Sequence, residues 1–138
     1  MTAQRPQNRS MTERTALALT PVVVLSVAIF IASSMPAVQT PSLGIDWQDK
    51  VFHAVAFFAY GLCLQFAVLG ISVHMKSVKV CVLVLIIGIA YGISDEIHQS
   101  FVPSRMAEVA DAVADAVGVA LSTTFLGLTR RLLLRLGW

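Results

Sequence analysis

The sequence predicts an all-α integral membrane protein, with four transmembrane helices in a compact bundle and both termini cytoplasmic. Three observations predict it. The chain is too apolar for water: of its 138 residues 57% are hydrophobic and 13% charged, and its mean hydropathy is +0.77. Few soluble domains could cover such a surface with water-facing groups. Four segments, Thr15–Ser34, Val51–Ile71, Val78–His98 and Val109–Thr129, are long and apolar enough to cross a bilayer. A crossing needs about 20 such residues, because the hydrocarbon layer is roughly 30 Å thick and a helix rises about 1.5 Å per residue. The charges also sort by side, eight of the ten basic residues falling on one side of a four-helix layout.

Taken in order, residues 1–14 are a tail carrying Arg5, Arg9 and Arg14. Positive residues near short loops favour the cytoplasmic side, so this tail is cytoplasmic. Helix 1 follows; its core, ALALTPVVVLSVAIFIA, is longer than a secretory signal core, so it is read as an uncleaved span despite the small residues of ASSMPA. An outer loop with Pro36, Pro41, Asp46 and Trp47 leads to DKVFH at the mouth of helix 2. The SVHMKSVK loop, with His74, Lys76 and Lys79, returns to the cytoplasm. Helix 3 runs from VKVCVLVLIIGIA into SDEIHQ, an outer loop holds Pro103 and Arg105, and helix 4 opens as EVADAVADAVG. Residues 130–138, RRLLLRLGW, form a basic amphipathic tail suited to the inner membrane surface. Residues 15–129 are therefore the membrane domain.

Within the spans, Cys63 and Cys81 lack metal-type spacing and read as small core residues rather than a disulfide. Gly61, Gly88, Gly92 and Gly118 suit close helix approach, and Tyr60 an interface or core role.

The acids sort opposite to the bases. Only Glu13 is cytoplasmic, while Asp46, Asp49, Asp95, Glu96, Glu108, Asp111 and Asp115 lie in outer loops or outer helix ends, with His53 and His98. Residues three and four apart share a helix face. Asp49, Lys50 and His53 satisfy that spacing, as do Asp95, His98 and Gln99; Asp111, Asp115, Gly118 and Ser122 make one polar and small stripe. Three helices thus offer polar patches at one depth. Asp115 sits about 9 Å below the helix 4 entry, where a charge facing lipid costs roughly 2.5–3.5 kcal/mol near the bilayer centre. It must face the bundle interior, a wet cleft or a basic partner. Lys50 and Arg105 are the only outward cations, so the negative excess calls for protons, water, a cation or a cationic ligand. Arg105 is expected to pair with Glu96, Asp95 or Asp111, or to hold an anionic headgroup.

These patches, in this order, resemble the VanZ-like family of small membrane proteins. DKVFH supplies Asp49, Lys50 and His53; SDEIHQSFVPSR supplies Asp95, Glu96, Gln99, Pro103 and Arg105; DAVADAVG supplies Asp111 and Gly118. Where the family pattern has Asn, this chain has Asp115. The resemblance implies the membrane fold and the shared polar site, and an association with resistance to teicoplanin, a glycopeptide acting at the outer membrane face. It brings no settled chemical activity. It further implies that Asp115 tolerates replacement by Asn, whereas Asp111 is the acid the motif retains.

The candidate ligand-binding set is Asp49, Lys50, His53, Asp95, Glu96, His98, Gln99, Arg105, Asp111 and Asp115, with His53, Glu96, His98 and Asp111 the candidates for any catalysis. The leading reading is an outward-facing site that binds or modifies an envelope component: a lipid headgroup, a lipid-linked wall precursor or an amphiphilic antibiotic. A metal-dependent or acid–base membrane enzyme acting on a lipid-linked substrate is the second; the residues are ligand types for a divalent metal, but no specific metal motif is present. A structural membrane subunit and, through Asp111 and Asp115, a proton-coupled carrier are the others. Membrane lipids are the expected partners; a homodimer stays open, and nothing points to nucleic acid.

Overall fold

The structure, a computed structural model, describes residues 10–36 and 47–138. Arg5, Arg9, Pro41 and Asp46 lie outside the described residues. Among the described residues, four stretches are long and apolar enough to cross a membrane. They are α1 (Met11–Ser34), α2 (Gln48–Ile71), α3 (Ser77–Gln99) and the run Val109–Arg135. That last run consists of α4 (Val109–Ser122), a 3₁₀ turn (Thr123–Phe125) and α5 (Leu126–Arg135). Among the described residues there is no strand.

The first three helices begin earlier than the apolar runs suggest, with polar residues at or beside their starts, while α4 begins at Val109 as expected. Ser10 accepts the Glu13 N–H at 3.2 Å while its own N–H donates to the Glu13 carboxylate at 2.9 Å. This reciprocal capping box satisfies two donors at the start of α1. Asp49 lies in the first turn of α2, where the helix dipole favours an acid. The break after Ser122 is equally local. Ser122, Thr123 and Thr124 each donate a side-chain hydroxyl to the carbonyl three residues back, at 2.7 Å in each case. Three successive hydroxyls drawing on those carbonyls tighten the helix into the 3₁₀ turn.

The central helix is α2, which packs most extensively on α4 and also meets α1, α3 and α5. Gly118 makes the α2–α4 contact: a Cβ there would collide with the Ala54 carbonyl oxygen and come within 2.8 Å of the Phe58 nitrogen. Backbone meets backbone at this crossing, which only a residue without a side chain permits. The core holds Phe57, Tyr60, Leu64, Val80, Val84 and Val119. Cys63 and Cys81 pack against it as free thiols. Val23, Val24, Val27 and Phe30 of α1 and Ile86 of α3 are exposed, as lipid-facing residues are.

The two ends of the bundle differ. At one, Met11, Gly70, His74 and Trp138 gather, so the start of α1 and the chain's last residue share an end. Arg130 donates to the Met75 carbonyl at 2.6 Å, and the amphipathic tail buries Leu133 and sets Trp138 against Phe66. Leu132, Leu134 and Leu136 of the same tail stay exposed. At the other end lie Ser33, Asp49, Asp95, Gln99 and Arg105.

Candidate functional site

The polar end contains two sets of ionisable groups. In the outer one, Lys50 in the first turn of α2 is surrounded by acids. Its Nζ donates to Asp49 Oδ2 at 2.6 Å and Glu108 Oε2 at 2.7 Å, and lies 3.0 Å from Asp111 Oδ1 without good hydrogen-bond geometry. This ties the mouth of α2 to the start of α4. Asp49 and Glu108 keep nearly half of their side-chain surface exposed, whereas Asp111 is buried.

The inner set joins three helices. His53, one turn into α2, places Nδ1 3.0 Å from Asp115 Oδ1 on α4 and 3.9 Å from Glu96 Oε1 on α3. The side chains of Asp115 and Glu96 are 1% and 8% exposed. Glu96 is held on its far oxygen by the Glu108 N–H at 3.0 Å. Asp115 Oδ2 has no hydrogen-bond partner in the protein. The room for this carboxylate comes from Gly92 on α3, where a Cβ would stand 3.0 Å from the Asp115 Cβ and 3.1 Å from Oδ2.

Asp95 lies beside the inner set and faces α1. It accepts the Ser33 hydroxyl at 2.6 Å and the Gln99 amide at 2.9 Å. Between α1, α2 and α3 lies a cavity of about 200 Å³. Its polar wall is Ser33, Asp49, His53, Asp95, Gln99 and Arg105; Ile29, Phe52, Ala56 and Phe57 are among its apolar residues.

Most of the sequence-derived set converges here: Asp49, Lys50, His53, Asp95, Glu96, Gln99, Asp111 and Asp115 all line the cavity or belong to one of the two sets. Two residues are placed differently, although Arg105 still lines the cavity. Among the described residues Arg105 pairs with no carboxylate. It donates from Nε to the Met35 carbonyl at 3.2 Å and from Nη2 to the Ala32 carbonyl at 3.1 Å. Ser104 takes a positive φ of 68°, and the Arg105 N–H closes a turn onto the Val102 carbonyl. The guanidinium so reaches the end of α1, where the last carbonyls and the negative end of the helix dipole attract a cation.

His98 is the other. It does not face the cavity: Nε2 lies 3.0 Å from the Ser34 hydroxyl and the ring lies 4.5 Å from the Phe30 ring. Residues advance about 100° each around a helix, so positions three and four beyond Asp95 point about 100° apart. Gln99 takes the interior direction and His98 the flank against α1. Ser33 and Glu108 are contributors absent from the sequence-derived set. Glu108 was visible as an outward acid; Ser33 carried no mark beyond being a hydroxyl at the end of an apolar run.

The VanZ/LLP1 family model matches residues 1–130 of the chain. No curated protein and no solved structure matches it.

Proposed function

The chain belongs to the VanZ/LLP1 family, and from that premise we propose that its polar end binds the headgroup of a cell-envelope amphiphile at the outer face of the cytoplasmic membrane. The observation that carries this reading is the three-helix cavity, with polar atoms on one wall and Phe52, Ala56 and Phe57 on another. At about 200 Å³ it is smaller than the roughly 300–1,000 Å³ typical of drug-sized ligands. It suits a headgroup or a terminal polar group, not a whole lipid or glycopeptide. The outward orientation rests on the eight-to-two division of basic residues. On this reading, a link to teicoplanin-type resistance comes from holding a component of the outer leaflet on which such antibiotics act.

The test fills the cavity without touching its charges. Ala56→Phe should abolish the lipid that co-purifies with the detergent-extracted protein, as read by mass spectrometry. The same lipid in wild type and variant, or none in wild type, would defeat the reading. A second reading, an acid–base enzyme on a lipid-linked substrate, is favoured by the 3.0 Å approach of Asp115 to His53. A carboxylate so placed orients and strengthens an imidazole base. Turnover of a lipid-linked substrate, lost in His53→Ala, would support it over binding alone.

A further inference from the structure

We propose that His53, Glu96 and Asp115 form a binding site for one divalent first-row transition-metal ion. The three come from α2, α3 and α4, and one ligand atom from each lies within 4.8 Å of the other two. One imidazole nitrogen and two carboxylates form a donor set suited to Zn²⁺, Mn²⁺ or Fe²⁺; Mg²⁺ and Ca²⁺ favour oxygen ligands throughout.

A second observation is independent of this clustering. Asp115 is fully buried, yet its Oδ2 has no donor. That oxygen lies over Gly92, one helical turn before Glu96 on the same helix. A buried acceptor atom without a partner costs roughly 1–3 kcal/mol, more if charged. The free oxygen therefore points to a cation.

The surrounding charges lead to the same place. Lys50 is already shared among Asp49, Glu108 and Asp111. Arg105 is engaged with the carbonyls of α1. Held as two carboxylates and a neutral imidazole, the form that ligates a metal, the set would carry two negative charges, which a single divalent ion balances. Asp49, Glu108 and Asp111 are comparably clustered, but the Lys50 ammonium lies within 3.0 Å of an oxygen of each. Asp49 Oδ1 and Asp111 Oδ1 also lack a hydrogen-bond partner there, but an ammonium already occupies the centre of that set, whereas no lysine or arginine contacts the inner one among the described residues. The Glu108 N–H holds Glu96 Oε2, in the manner of the outer partners that orient metal-ligating carboxylates, while Oε1, which also accepts from the Gln99 amide at 3.4 Å, lies toward His53.

This proposal deepens the headgroup reading, because His53 also lines the cavity, but its test reads a different quantity. Detergent-purified full-length protein is stripped with chelator, supplied with Zn²⁺ or Mn²⁺, and dialysed. Elemental analysis should find one ion per chain, and adding the ion should raise the thermal midpoint of the wild type. Asp115→Asn and His53→Ala should weaken binding at least 100-fold and lose the thermal shift. His98→Ala, which changes a histidine outside the site, should match the wild type. If His53→Ala fails to elute as folded protein on size exclusion, the near-isosteric Asp115→Asn decides. No ion and no shift in the wild type, or equal binding in Asp115→Asn, would overturn the proposal and leave protons to neutralise the set. Lipid is measured in the same samples: lipid without the ion rejects the metal alone, and the ion without lipid rejects the headgroup reading alone.

Discussion

The two ionisable sets occupy the same end of the same bundle and share α2 and α4, the inner one adding α3, yet they solve opposite problems. The outer set, Asp49, Lys50, Glu108 and Asp111, contains its own ammonium and is partly open to water. It closes the mouth of α2 against α4. The inner set, His53, Glu96 and Asp115, is more deeply buried, holds two carboxylates, and has only a histidine beside them. An ammonium shared among acids from α2 and the start of α4 serves the fold. Charge left uncompensated at such burial works against the fold, and is retained where a ligand compensates it.

The comparison breaks first at Lys50. Lys50→Ala strands a buried Asp111 between two other acids. Removing one partner of a buried ion pair costs about 3–5 kcal/mol, and partial exposure here brings the expectation to about 3 kcal/mol. Thermal unfolding in detergent should show it, with Lys50→Arg restoring most of the loss; an unchanged midpoint in Lys50→Ala would show that the outer set does not hold the helices. Asp111→Asn is milder, because Lys50 keeps Asp49 and Glu108. The variant should still reach the membrane and lose about 1 kcal/mol, while the envelope phenotype of a deletion strain is complemented poorly. Full complementation would remove Asp111 from the functional end.

Arg105 sharpens the contrast by belonging to neither set. Arg105→Ala should cost about 1 kcal/mol through the uncapped end of α1, with Arg105→Lys intermediate, since a single ammonium cannot span two carbonyls as a guanidinium does. Equal midpoints for wild type and both variants would contradict a capping role. The smallest effect belongs to His98: His98→Ala should change stability by less than about 0.5 kcal/mol, and a larger loss would mean that its contacts with Phe30 and Ser34 brace α1.

Much of this end was legible in the sequence. The apolar runs gave the spans because length and hydropathy are properties of whole segments, insensitive to detail. The stripe Asp111, Asp115, Gly118 and Ser122 was legible because all four recur at three- and four-residue steps, and all four are buried in the structure. Individual directions were harder to read. Asp95, His98 and Gln99 look equivalent as a spacing, but the steps of three and four diverge enough to place His98 on another surface. Arg105 shows its charge in the sequence while the carbonyls it meets, on Ala32 and Met35, show nothing. The turn after Ser122 was hidden because hydropathy continues through it and only the local hydroxyls interrupt the helix. The resemblance implied that Asp115 tolerates Asn, and its burial against His53 gives that a physical form. The amide keeps the hydrogen-bonding shape beside His53 and places no charge at a fully buried position.

The most direct measurement compares the thermal midpoints of Asp115→Asn and Asp111→Asn with the wild type, all three chelator-treated and delipidated. If the inner set holds uncompensated charge reserved for a ligand, Asp115→Asn will match or exceed the wild type while Asp111→Asn falls below it. A loss confined to Asp115→Asn, with Asp111→Asn unchanged, would contradict the account and make the inner set the structural one.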